Sequence, residues 1–148
     1  MAKLIFVNLP VADLARATVF YEAIGAQKNE QFSDETASCM VFSETIHAML
    51  LTHEKFRQFT PKHIADARTT TEVLICMSAD SRDAVDDVVG KAGAAGGRAD
   101  PSPKQDYGVM YGRSVADPDG HIWEIMWMDP AAAEQGASAV QEAIATAL

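Results

Sequence analysis

Glu124 stands alone among large apolar residues in the stretch ADPDGHIWEIMW, Ala116 to Trp127. A carboxylate in apolar surroundings needs either a cation or a proton, and the same conditions suit it to act as a counter-charge or general base. Arg113 precedes the DPDG turn by about as much as Glu124 follows it, and Tyr111 lies two residues earlier on the same segment. If the hairpin loop has four residues, Arg113 sits opposite Glu124; with a three-residue loop Ser114 does so and Arg113 points away. Both registers suit the turn. The remaining chemistry-bearing residues are scattered. His47, His53, His63 and His121 fall off the Glu124 face or in loops. Cys39 and Cys76 stand singly in apolar segments without CxxC spacing and read as buried free thiols.

Several elements must position these groups. Pro118 presets the turn, Asp117 can accept a backbone hydrogen bond within it, and Gly120 supplies the left-handed closing residue. On the outgoing strand Ile122, Glu124, Met126 and Met128 share one face, with His121, Trp123, Ile125 and Trp127 on the other. An internal repeat extends this pattern to the whole chain. LIFVNLP leads to Asp13 as a helix cap, then to Leu14, Ala17, Phe20, Tyr21 and Ile24 at helical spacing before Gly25. The same order returns with strand Val73 to Ser78, a cap at Asp80 or Ser81, and Ala84, Val85, Val88, Val89 and Ala92 before Gly93. Each half closes in a hairpin, CMVF-SET-IHAMLLT in the first and VMYGRSV-DPDG-HIWEIMWM in the second. Aligning Gly25 with Gly93 gives an offset of 68, and aligning His47 with His121 gives 74.

The expected architecture is α+β: two tandem βαβββ modules forming an open, curved, mixed sheet around a cleft. Residues 3–53 form the first module, 54–70 a linker with one short helix, 71–130 the second module, and 131–148 a tail or weakly amphipathic helix with Val140, Ile144 and Leu148 on one stripe. A chain of 148 residues suits one domain of this kind. Its net charge of −9, with acids dispersed along the chain, argues against nucleic acid and is compatible with a cationic ligand. No apolar run reaches membrane-spanning length and the N-terminus does not read as a signal peptide, so no membrane partner and a cytoplasmic location are expected.

The two βαβββ halves, with FVNLPVADLARATVFYEAIGA near the start and ADPDGHIWEI near the end, resemble the vicinal oxygen chelate superfamily over about residues 3 to 130. This group includes glyoxalase I, extradiol dioxygenases, and fosfomycin- and bleomycin-resistance proteins. FSDETASCMVFSETIHAMLLTHEKF and QDYGVMYGRSVADPDGHIWEIMWMDP are similar to a subgroup labelled lactoylglutathione-lyase-related. The resemblance implies four inward-facing ligand positions for a divalent metal, which fall here on Phe6, Leu50, Leu74 and Glu124. Only Glu124 is a ligand type. A catalytic metal ordinarily needs three protein ligands and an open position, so no metal cofactor is expected. A shifted set of Asn8, Glu72 and Glu124, with Thr52 or Ala48 nearby, is the alternative and would suit a hard divalent cation.

The expected cleft is apolar and partly acidic. Its ligand-facing candidates are Phe6, Asn8, Phe42, Leu50, Leu74, Tyr107, Met110 and Met126, with Tyr107 and its neighbours Asp106 and Gly108 placed to close the mouth. Three functions compete. One is binding of a small organic ligand without a metal, in a homodimer whose second chain completes the cleft, as the resemblance implies. Another is a metal-dependent lyase or isomerase similar to glyoxalase I. The third is a metal-free isomerase with Glu124 as base and Arg113 or Tyr111 as electrophile.

Overall fold

Alternating apolar strands and capped helices recur in both halves of the computed structural model, which describes residues 1–147. In the first half, β1 (Ile5–Val11) leads into α1 (Leu14–Ala23), where the Asp13 carboxylate accepts a hydrogen bond from the Arg16 amide at 3.0 Å. Next come β2 (Gln27–Asn29), a single 3₁₀ turn, β3 (Ala37–Val41) and β4 (Ile46–Thr52), and α2 (His53–Arg57) opens the linker.

The second half begins two residues later than its apolar run suggests, with β5 at Ile75–Ser78 and Val73 and Leu74 left exposed before it. Ser81 caps α3 (Arg82–Ala94), which runs through Gly93. The left-handed residue that ends it is Gly96, because Gly93 continues the helical hydrogen bonding. β6 (Arg98–Ala99), β7 (Gln105–Asp106), β8 (Met110–Ala116) and β9 (Ile122–Met128) follow. The tail forms two helices, α4 (Pro130–Gln135) and α5 (Ala137–Ala147), which keep Val140 and Ile144 half-buried. Leu148, placed on the same stripe by its spacing, lies outside the described residues.

These strands form two open mixed sheets, in the orders β1-β4-β3-β2 and β5-β9-β8-β6, with β7 also paired to β8. In each sheet the first pair is parallel and the hairpin antiparallel. This is the α+β architecture of paired βαβββ modules. Their helix-bearing faces share one core, in which Phe20, Tyr21, Leu50, Val85, Val89 and Trp123 are almost fully buried. Among the described residues, no helix is long and apolar enough to cross a membrane.

A polar seam locks the halves together. Trp123 donates from Nε1 to the Tyr21 hydroxyl at 2.9 Å, and Tyr21 donates in turn to Asp117 Oδ2 at 2.6 Å. The other Asp117 oxygen accepts from the Asp119 and His121 amides, as an aspartate at the head of this turn should. Burial is the main force raising both the Tyr21 hydroxyl and the Asp117 carboxyl above their usual ranges. Gly97 permits the same close packing: a Cβ there would collide with the Phe20 ring and the Ala116 carbonyl.

The hairpins fix how the halves correspond. Val41 pairs with His47, and Ala116 with Ile122, so the true offset is 75 rather than 74 (116 − 41 and 122 − 47). The counterpart of Glu124 is therefore Met49, and His47 corresponds to Ile122 rather than His121. A slip of one residue moves a side chain to the opposite face of its sheet. Leu50 accordingly points into the helix-covered core, fully buried, and is not a ligand position.

Candidate functional site

The faces of the two sheets away from the helices carry the chemistry. On the second sheet Glu124 pairs in register with Ser114 on one side and Cys76 on the other, and Met110, Ile122 and Met126 share its face. Leu74, immediately before β5, is 55% exposed. Among the described residues the half-buried Glu124 carboxylate has neither an ion-pair nor a hydrogen-bond partner. On the first sheet the corresponding face holds Phe6, Asn8, His47 and Met49. The Phe6 ring, 49% exposed, stacks on His47 with centroids 4.4 Å apart. His47 Nδ1 is buried and unpartnered among the described residues.

Arg113 and Tyr111 are absent from this face. Asp117 N bonds to His121 O, closing the hairpin around three residues and setting Ser114 opposite Glu124. Arg113 instead meets Asp100 through two hydrogen bonds, at 3.0 and 2.6 Å, and Asp86 at 2.9 Å. Tyr111 donates to Asp86 at 2.6 Å and lies beneath the Arg82 guanidinium. Hydrogen bonds from Arg113 hold Asp100 below the usual carboxylate range, and those from Tyr111 and then Arg113 do so for Asp86. This cluster joins β8 to α3 and the β6 loop, so neither residue can serve as an electrophile beside Glu124.

Other expected cleft residues also lie elsewhere. Phe42 packs against Tyr21 and Trp123 on the core side. Tyr107 lines a recess under α4 and α5, and the neighbouring Asp106 is bound by Arg82. Cys39 is buried as expected, whereas Cys76 is exposed because β5 is an edge strand whose outer face nothing covers. Partial desolvation by the neighbouring side chains raises the Cys76 thiol, and the charge of Glu124 raises it further, favouring the protonated form. Sequence reasoning missed His47, Met49 and Cys76. Equal hairpin lengths in the two halves were the available signal for the first two.

The donor chemistry of the four family metal positions does not suit a catalytic divalent ion. Phe6 and Leu74 offer no lone pair, Met49 offers only a weak thioether, and Glu124 alone is a hard ligand. The alternative set also separates. Asn8 and Glu72 line one cavity, while Glu124 lies beyond it between Ser114 and Cys76. Among the described residues, no group of three His, Cys, Asp or Glu side chains is placed to hold a metal ion.

The family model of the Glyoxalase/Bleomycin resistance protein/Dioxygenase superfamily matches residues 3–125. The chain belongs to this superfamily. Solved structures share its fold. A hypothetical protein from S. aureus is 23% identical, covering 86% of this chain and 94% of its own, with a TM-score of 0.71. A glyoxalase/bleomycin resistance protein/dioxygenase family enzyme from Burkholderia phytofirmans PsJN is 22% identical over 86% and 99% of the two chains, with a TM-score of 0.69. The fosfomycin resistance protein FosX from Mesorhizobium loti is 17% identical over 93% and 99%, with a TM-score of 0.64. At these identities the likeness to this superfamily member extends to fold alone. No curated protein matches the sequence.

Proposed function

We propose that this superfamily member binds a small organic ligand, without a catalytic metal, on the Glu124 face. The observation that carries the reading is an unpartnered carboxylate on an open apolar surface. A ligand with a cationic or hydrogen-bond-donating group would satisfy Glu124 while its apolar body covers Leu74, Met110 and Met126. Flexible methionines let such a surface adapt to flat or irregular ligands. The orphaned Nδ1 of His47 beside Phe6 supports a polar ligand group on the first sheet as well.

A second copy of the chain is proposed to complete the cleft. The exposed area of 9067 Å² exceeds the about 7,400 Å² expected of a compact monomer of this mass. That per-chain excess is about twice the ~800 Å² each partner buries in a standard interface and falls in the range of obligate homodimers. β1 and β5 are uncovered edge strands whose N-terminal ends expose Leu4, Ile5, Phe6, Val73 and Leu74. Free cysteines fit the reducing cytoplasm as the compartment.

A thermal-shift comparison of cationic aromatic compounds, with proflavine as the first probe, against small carbonyl compounds tests this function. Proflavine should raise the melting temperature of the native chain and lose most of that effect with Glu124→Gln. An unchanged shift in the variant, or no shift with the native protein, contradicts the proposal. Turnover of a hemithioacetal by metal-free protein would favour an isomerase instead.

A further inference from the structure

The linker has a charge unlike the rest of the molecule. Residues 53–70 hold four of the twelve Lys and Arg but only two of the 21 acids, in a chain whose net charge is −9. Arg57, Lys62 and Arg68 line a cavity of about 560 Å³ between the linker and the modules, joined there by His53, His63 and His121. None of these three cations forms an ion pair among the described residues. Arg68 spends one guanidinium nitrogen on the Pro118 carbonyl. The two acids in the wall, Asp66 and Asp119, are engaged with backbone amides, of Arg68 at 3.0 Å and Ala12 at 2.8 Å.

A second cavity of about 280 Å³ adjoins the first, sharing Pro10, Lys62, His63, Ile64 and His121 with it. Its own wall is mainly apolar, drawn from Leu9, Phe56, Val73, Ile75 and Ile122. Glu72 also lines it and opposes an anion at that end. The roof over both is tightly fitted: a Cβ on Gly120 would lie 2.8 Å from the backbone of Ala67 and Arg68. The linker therefore rests directly on the DPDG turn, and His121 Nε2 anchors the turn to the Pro10 carbonyl at 2.8 Å.

We infer that the paired cavities beneath the linker, which meet the Glu124 face only at Ile122, are a binding site for a small amphiphilic anion: an acyl or aryl carboxylate. The carboxylate lies among Arg57, Lys62 and Arg68, and the apolar body passes beneath the linker toward Phe56, Val73 and Ile122. Exposed cations alone hold a small anion weakly because solvent and salt screen them. Burial of the apolar body supplies the remaining affinity and the selectivity for an amphiphile.

Titration of the uniformly ¹⁵N-labelled full chain with octanoate tests the site, with octanol and inorganic phosphate as probes of each half. Octanoate should shift the amides of residues 62–68 and 120–122 saturably, with octanol and phosphate at least tenfold weaker. The double variant Arg57→Gln/Lys62→Gln removes only exposed side chains. It should weaken octanoate at least tenfold and leave octanol unchanged. Equal affinity for octanol, an unaffected double variant, shifts confined to Cys76 and Glu124, or no octanoate binding would each overturn the assignment.

Discussion

Arg113 illustrates how a single step of hairpin register decides a residue's chemistry. Its spacing from Glu124 was readable in the sequence, but a DPDG turn accepts either a three- or a four-residue loop, and local propensity does not choose between them. In the folded chain Arg113 holds Asp100 and Asp86. These carboxyls have folded pKa values below their unfolded ones, so their contribution is complete above the ordinary carboxylate value of about 3.9 and disappears as pH falls through the lower folded values. Urea unfolding should show Arg113→Met to be destabilised at pH 7, with the difference from the native chain shrinking as pH falls below the ordinary carboxylate range. Asp117 has the opposite sign: its raised value costs stability as pH climbs from the unfolded to the folded pKa. Tyr21→Phe should lower stability by about 1–3 kcal/mol in the same assay, because it leaves Trp123 Nε1 and Asp117 Oδ2 without their buried partner.

At the scale of elements, the strand–helix–hairpin order, the Asp13 cap and the DPDG turn were legible because each has a local physical signal. The face assigned to β4 was not. Matching His47 to His121 by residue type hid the one-residue difference that hairpin pairing reveals. Apolar alternation gave little help, since Ala48, Met49, Leu50 and Leu51 are apolar in succession and fit either face. The observed register makes a testable distinction between adjacent residues. Leu50→Ala should cost about 2–5 kcal/mol by chemical denaturation, as expected for a cavity in a closed core. Met49→Ala, on the open face, should cost about 1 kcal/mol or less. Equal losses would place β4 in the other register. Gly97→Ala, which forces a methyl against Phe20 and the Ala116 carbonyl, should destabilise by about 1–3 kcal/mol.

For the whole molecule, the helix-bearing faces unite the two modules while the faces bearing Phe6 and Glu124 remain open. Neither this division nor the exposure of Cys76 could be read from composition, because both depend on which edges the fold leaves uncovered. Sedimentation velocity should show a dimer at micromolar concentration, with Phe6→Glu/Leu74→Glu shifting it to monomer; a native monomer throughout that range would remove the second chain from the site. Ligand binding at Glu124 can be read more directly from Cys76, its register neighbour, with buried Cys39 as the internal unreactive thiol. The decisive measurement is the rate of iodoacetamide alkylation of Cys76 with and without saturating proflavine. Binding on the proposed face predicts at least tenfold protection in the native protein and little in Glu124→Gln, whereas identical rates with and without proflavine would contradict it.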